Sequence, residues 1–375
     1  MKQHRLAFVG VGGIADVHYL SVRSMPERAQ LVAVCDSRLE AVQRRAKEWQ
    51  VPGYTSFEKL LDEVEVDAVC LFLPHHLHAE FVEISAQHGK AVFLEKPIAG
   101  TLEHAQEIVE VVARYGMTLL VGNNGLFHPA SERTVEFVRR GWLGRPLSGR
   151  GISAGWVTFS SWDFRLKKHD TGGGCWIDAG GHLVYLLREA LGEADYVTGI
   201  TANLSRREME GEDHGLAVIR YKSGAVAELL VSYAQKFPGY RYAWPRNNTQ
   251  KLEIYGDRGA IQYAALPEPC VKYFSELPEA MPEDWQGWLV YRPPEPFTAE
   301  TTTVSSQQGL STYEFGLNET RPRVGFVFQD VRLHGPRGQP KRMEITVRAR
   351  ATMPRRCSRR QQPARHQAIF TSSRP

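Results

Sequence analysis

Residues 6–9, 31–35, 68–73, 91–94 and 119–121 are short runs that are apolar on both faces, as strands buried in a parallel sheet are. Between them apolar positions recur at helical spacing. Leu77, Phe81, Ile84 and His88 share one stripe, and Leu102, Ala105, Ile108, Val109 and Val112 share another. Strands alternating with covering helices predict a doubly wound α/β domain over residues 1–122. After a helix near 131–140 the strands lengthen: 215–232 reads as a hairpin turning on Ser223-Gly224, and further strands are expected near 197–204, 252–255 and 260–263. One strong helix, 176–191, interrupts them. Residues 123–330 are therefore expected to form an α+β domain with a mostly antiparallel open sheet, and residues 331–375 a basic, irregular tail.

Composition narrows the class. A chain of 375 residues, 42% hydrophobic and 23% charged, is that of a two-domain globular protein. No apolar run approaches the roughly 18 residues of a membrane span, so no membrane partner is expected. The five cysteines are odd in number and hold no C-x-x-C pair, which argues against a disulfide framework or zinc knuckle and fits a reducing cytoplasm. The net charge of +4 hides an asymmetry. Residues 321–375 carry 14 Lys or Arg against Asp330 and Glu344, a local +12, which leaves −8 on the first 320 residues. An acidic body offers no footprint for nucleic acid, and the arginines of the end lack interleaved aromatics. That end is read either as a disordered tail or as the product of a shifted reading frame.

Directly after the first strand stands Gly10-Val11-Gly12-Gly13-Ile14-Ala15, a G-x-G-x-x-A pattern opening a helix expected to turn Val17 and Leu20 inward. In this pattern the first glycine permits a tight turn, the second lets the backbone approach a pyrophosphate, and the small last residue brings the helix close to the sheet. Asp36 ends the second strand 21 residues after Ala15, where a carboxylate accepts both ribose hydroxyls of NAD. Gly10, Gly12, Gly13, Ile14 and Asp36 are thus candidate cofactor contacts. A 2′-phosphate would be repelled by Asp36 yet could be met by Arg38, so NAD is favoured and NADP stays open.

Three more motifs follow in order: Pro74-His75-His76-Leu77-His78, then Gly89-Lys90-Ala91-Val92-Phe93-Leu94-Glu95-Lys96-Pro97, then Gly172-Gly173-Gly174-Cys175-Trp176-Ile177-Asp178-Ala179-Gly180-Gly181-His182. With the glycine pattern they make residues 5–265 resemble the glucose-fructose oxidoreductase and inositol dehydrogenase family, Gfo/Idh/MocA. The resemblance implies a Rossmann domain and an NAD(P)-dependent dehydrogenase or reductase of sugars, cyclitols or related polyols. It also implies a homodimer or homotetramer paired through the outer face of the second-domain sheet. It places Lys96 beside the reacting carbon, usually with a cis bond before the proline, where an ammonium favours the developing alkoxide. His182 would take the hydroxyl proton while Asp178 orients its imidazole or the substrate. Pro74, His75, His78, Glu95 and Lys96 are implied around the nicotinamide.

The residues themselves agree in part. Asp178 and His182 are four apart, on a helix face turned away from the stripe of Ala179, Leu183, Leu186, Leu187 and Ala190, and the three glycines before them permit close approach to a ligand. Two departures from the family pattern, His75 for asparagine and Gly125-Leu126 in place of arginine, bear on substrate identity. Asn124, Trp162, Arg165 and His169 are candidate hydroxyl-binding or stacking groups. His75, His76 and His78 lack the cysteines or acidic groups that would complete a metal site, so no metal is expected. Two other readings keep the same fold: a glycoside hydrolase working by transient oxidation of its substrate, and a sugar or dinucleotide sensor without turnover.

Overall fold

A computed structural model of the chain describes residues 3–123, 129–160, 163–236, 248–266, 270–281, 288–291, 329–334, 342–347 and 367–370. The chain divides into two units, Met1–Gly122 with Val324–Pro375, and Asn123–Arg323.

In the first unit six strands, β1 (His4–Val9), β2 (Ala29–Cys35), β3 (Gly53–Tyr54), β4 (Ala68–Leu71), β5 (Ala91–Glu95) and β6 (Leu119–Gly122), form one sheet in the order β3-β2-β1-β4-β5-β6. Every pairing is parallel. Helices α1 (Gly13–Arg23), α2 (Leu39–Trp49), α3 (Phe57–Glu63), α4 (His78–Gln87) and α5 (Leu102–Tyr115) connect them. Because helices cover both faces, the central strands are buried throughout, Phe8, Val69, Leu71, Val92 and Leu94 being without exposed surface. Strand order reverses between β1 and β4, so the loops leaving their carboxyl ends diverge and open the crevice where ligands of such sheets bind.

Two helical stripes differ from expectation. The buried face of α4 is His78, Val82, Ser85 and Ala86, one position on from the Leu77-Phe81-Ile84-His88 stripe. Leu77 lies ahead of the helix, in the 3₁₀ turn His75–Leu77, while Phe81 and Ile84 pack half-buried against the core beside that face. Leu102 is 65% exposed because it opens α5, immediately after Thr101, whose hydroxyl accepts the His104 N–H and caps the helix. In α1 the buried residues are Ala15, Asp16 and Val22, with Val17 and Leu20 half-buried. Asp16 is drawn inward by Arg45 of α2, at 2.5 Å.

The expectation of irregular structure over 331–375 does not describe all of that segment. Strands β15 (Gln329–His334), β16 (Arg342–Val347) and β17 (Gln367–Phe370) pair antiparallel in the order β15-β16-β17. Val331 and Leu333, then Met343, Ile345 and Val347, alternate with polar residues at the period of a strand, a signal the run of arginines obscured.

The second unit holds an eight-stranded sheet in the order β14-β13-β12-β11-β7-β10-β9-β8. Its strands are β7 (Pro146–Gly155), β8 (Ala194–Ala202), β9 (His214–Tyr221), β10 (Val226–Ser232), β11 (Asn248–Gly256), β12 (Gly259–Leu266), β13 (Cys270–Ser275) and β14 (Leu289–Tyr291). Only β7 with β10 is parallel, so the sheet is mostly antiparallel. The β9–β10 hairpin turns at Gly224, whose φ of +84° suits glycine. Helices α6 (Pro129–Arg139) and α8 (Gly181–Leu191), with the single turn α7 (Lys168–Thr171) between them in sequence, flank the sheet, and α6 and α8 contribute Phe137, Leu183, Leu187 and Leu191 to a core shared with Ala227, Leu229, Leu252 and Ile261. Among the described residues no helix is long and apolar enough to cross a membrane, and Cys35, Cys70, Cys175 and Cys270 are free thiols.

Candidate active site

The glycine pattern forms the turn from β1 into α1. Gly10 has φ +85°, and a Cβ there would stand 2.3 Å from the Phe72 carbonyl oxygen, so this position admits only glycine. Around Gly12 and Gly13 a Cβ would meet nothing within 4 Å. No side chain caps α1, and Gly13 and Ile14 are exposed, leaving the positive end of the helix dipole open to an anion. Asp36 closes the turn from behind: its Oδ2 accepts the Val11 N–H at 3.0 Å, and its Oδ1 accepts the Arg38 N–H and Nε at 3.0 and 3.1 Å. Burial raises the carboxyl pKa, but these donors outweigh it and hold Asp36 below its ordinary range, hence ionised.

At the carboxyl end of β5, Glu95 leads into a cis Lys96–Pro97 bond. Its Oε2 accepts the Lys96 N–H at 3.0 Å, and its Oε1 lies 2.7 Å from Nε2 of His18, on α1. Burial pushes Glu95 up, but the His18 hydrogen bond and the neighbouring Lys96 pull it further down, so it is a carboxylate. His78, expected near the cofactor, is fully buried instead, with Nδ1 at 3.2 Å from the Ile98 carbonyl and Nε2 at 3.0 Å from that of Leu73. It braces the walls of the site and does not line it. Burial, then His75, lowers its pKa to about 4. His75 is itself buried, 5.6 Å from the His78 ring, and Pro74 is half-buried just ahead of the turn.

In the second unit Asp178 stands on a π-helical turn, Trp176–Gly180, and His182 on the first turn of α8. Both are half-buried. Of the preceding glycines, Gly174 serves a packing purpose that was not expected: a Cβ there would stand 1.9 Å from the Glu212 carbonyl oxygen, so this position admits a neighbouring backbone. There Glu212 accepts the N–H groups of Gly174 and Trp176 at 3.0 and 3.1 Å, and its own carbonyl accepts that of Cys175. One carboxylate thus caps the segment bearing Asp178 and His182.

The Asp178 carboxylate accepts the Tyr233 hydroxyl at 2.5 Å and lies 3.8 Å from Nη1 of Arg165. Arg165 is gripped at both ends of its fork by Asp163, at 2.9 and 2.7 Å. Burial disfavours its charge, but Asp163 and Asp178 overcome that and keep it cationic. Burial, then Asp178, pushes the Tyr233 phenol well up, so it donates as a neutral hydroxyl. His182 presents Nδ1 to the Asn123 amide oxygen at 3.3 Å. An Nδ1–H donated there leaves Nε2 with its lone pair, the tautomer a base requires.

Arg165 therefore joins Asp178, whereas His169 is exposed and pairs with its neighbour Asp170. Asn124 and Trp162 lie outside the described residues. Sequence reasoning missed His18, Asn123, Glu212 and Tyr233, all joined to the site by contacts distant in sequence. Asn123, adjacent to a residue that was proposed, had the clearest signal.

The family profile described as oxidoreductase family, NAD-binding Rossmann fold, matches residues 4–123, and that of the GFO/IDH/MocA C-terminal domain matches 132–262. The chain is 31% identical over 209 residues to 1,5-anhydro-D-fructose reductase of Ensifer adhaerens, covering 55% of this chain and 60% of that enzyme. With scyllo-inositol 2-dehydrogenase (NAD(+)) of Bacillus subtilis it shares 27% identity, covering 70% and 74%. The crystal structure of the WlbA dehydrogenase from Bordetella pertussis, in complex with NADH and UDP-GlcNAcA, is similar with a TM-score of 0.65 at 25% identity, covering 70% of this chain and 74% of that one. With both domain profiles matched in order across most of its length, this chain belongs to the Gfo/Idh/MocA oxidoreductase family.

Proposed function

We infer that this oxidoreductase transfers hydride between a nicotinamide dinucleotide, NAD ahead of NADP, and a hydroxyl or keto group of a sugar, cyclitol or related polyol. The observation that carries the reading is the uncapped glycine N-terminus of α1 at the point where strand order reverses. That cradle fits a pyrophosphate: the space beside Gly12 and Gly13 is open, and Asp36 is an ionised acceptor for ribose hydroxyls. When bound, the nicotinamide supplies the hydride acceptor or donor. The Lys96 ammonium stabilises negative charge on the reacting oxygen, and His182 takes or returns the hydroxyl proton at Nε2. Asp178, fixed by Tyr233 and Arg165, accepts a substrate hydroxyl or steadies the imidazolium.

A panel of cyclitols, aldoses and keto sugars followed by NADH absorbance, with each dinucleotide, tests the assignment. Lys96→Ala and His182→Ala should each abolish turnover while dinucleotide affinity stays within about threefold, under ~0.7 kcal/mol. Sugar release without net NADH change would mean glycoside hydrolysis, and binding without turnover a sensor.

The outer face of the second-unit sheet carries Ile200 of β8, Leu216 and Val218 of β9 and Val226 of β10, each at least 44% exposed. A contiguous apolar sheet face of this kind fits a second copy of the chain. Sedimentation of Ile200→Asp against the parent measures it: the variant should be the smaller species.

A further inference from the structure

We propose that His18 is a positioning residue for Lys96, acting through Glu95. The proposal rests on the reading that Lys96 works at the reacting oxygen. The residue sits on α1, one turn beyond the glycine pattern, in a helix whose first turn would hold pyrophosphate. Its ring stacks on Phe72, centroids 4.5 Å apart and planes within 12°, with the edge of Phe93 at 5.0 Å, so its orientation is set by packing. Nε2 then meets Glu95 Oε1 at 2.7 Å, both side chains being only 15% exposed. Because an ionised carboxylate only accepts, Nε2 carries the proton and donates.

The consequence lies in the other oxygen. Glu95 Oε2 accepts the Lys96 N–H, which fixes the backbone from which the lysine side chain departs. With Oε1 held by His18 and Oε2 by the main chain, the carboxylate is kept from swinging onto the adjacent ammonium. An ion pair there would divert Nζ from the substrate oxygen. His78 stands on the far side of the turn with Nδ1 3.2 Å from the Ile98 carbonyl, so the lysine leaves a segment flanked by α1 on one side and α4 on the other. The strap also joins the dinucleotide helix to the reactive lysine within one unit, through a single charged hydrogen bond.

The test compares His18→Leu, which keeps bulk but lacks a donor, with His18→Gln, whose amide N–H can occupy the Nε2 position. His18→Leu should lower kcat tenfold or more, with KM for the polyol and Kd for NADH within threefold. In the protein without dinucleotide, amide exchange at Lys96 should quicken at least tenfold while the remainder of β5 keeps its protection. His18→Gln should restore both within threefold. Should His18→Leu fail to fold, His18→Asn, too short to reach Glu95, takes its place. Unchanged kcat and unchanged Lys96 exchange in a folded His18→Leu protein overturn the proposal, as does a loss that His18→Gln does not repair. Lys96→Ala separates the two ideas: if it spares turnover, the assignment of Lys96 fails; if it abolishes turnover while His18→Leu does not, only the strap fails.

Discussion

Gly10 and Gly12 belong to one motif, yet the structure assigns them different duties, and alanine at each should break a different property. At Gly10 two penalties add. A φ of +85° costs an L-residue about 1–2 kcal/mol. The new Cβ would also press to 2.3 Å from the Phe72 carbonyl oxygen and 2.8 Å from its carbon. That carbonyl cannot drift away, because the Phe72 N–H is bonded to Val9 and the Gly10 N–H to Cys35. Overpacking against fixed backbone costs about 1–3 kcal/mol. Gly10→Ala should therefore lose roughly 2–5 kcal/mol of stability.

At Gly12 neither penalty arises: φ is −72° and nothing lies within 4 Å. Exchange of glycine for alanine at this cap position costs at most about 1 kcal/mol. The same methyl would fill the approach of a pyrophosphate, so NADH affinity should fall at least tenfold, about 1.4 kcal/mol. Urea unfolding and fluorescence titration with NADH, run on both variants, read the two effects apart. Wild-type NADH affinity in Gly12→Ala would reduce the motif to a structural turn, and wild-type stability in Gly10→Ala would refute the steric reasoning.

Three other outcomes are expected. His78 titrates at about 4 in the fold against 6.5 when free, so its neutral form contributes stability in full above pH 6.5. As pH falls toward 4 the unfolded chain binds the proton first and up to ~3 kcal/mol is lost; urea midpoints across that window should flatten in His78→Asn, and an equal slope in both proteins refutes the assignment. Tyr233→Phe removes the 2.5 Å donor to Asp178, a hydrogen bond to a charged group worth about 1.5–3 kcal/mol, and kcat should fall by roughly tenfold or more with NADH affinity unchanged. Asp36→Ala removes the charge that repels a 2′-phosphate and releases Arg38, so the NADP-to-NAD ratio of kcat/KM should rise at least tenfold.

The doubly wound domain was legible because its signal is local: β4 is buried at all four positions and reads as an unbroken apolar run. Lys96, Asp178 and His182, the proposed reactive groups, were singled out because each sits in a recognisable motif. The buried face of α4 was legible only in part, because Leu77 belongs to the 3₁₀ turn ahead of the helix and the inward-facing His78 is polar. The glycine run 172–174 shows a different limit. At Gly174 the sequence does not reveal what excludes a Cβ, because the excluder, Glu212, lies 38 residues beyond.

The residues that periodicity could not reveal share one physical role. His18 reaches Glu95 across 77 positions, Tyr233 reaches Asp178 across 55, Asn123 reaches His182 across 59, and Glu212 caps Gly174 across 38. Each such bond draws a polar or charged group out of water, where an apolar replacement of similar volume would often be as stable or more so. Folding alone therefore gives little reason to keep them. Orientation gives a strong one, because a reacting group misplaced by about 1 Å can lose two orders of magnitude in rate. Bonds of this type should consequently surround the groups that move charge. The polar contacts around Lys96, Asp178 and His182 are best understood as stability exchanged for position, which is why their removal should register in kcat before it registers in unfolding.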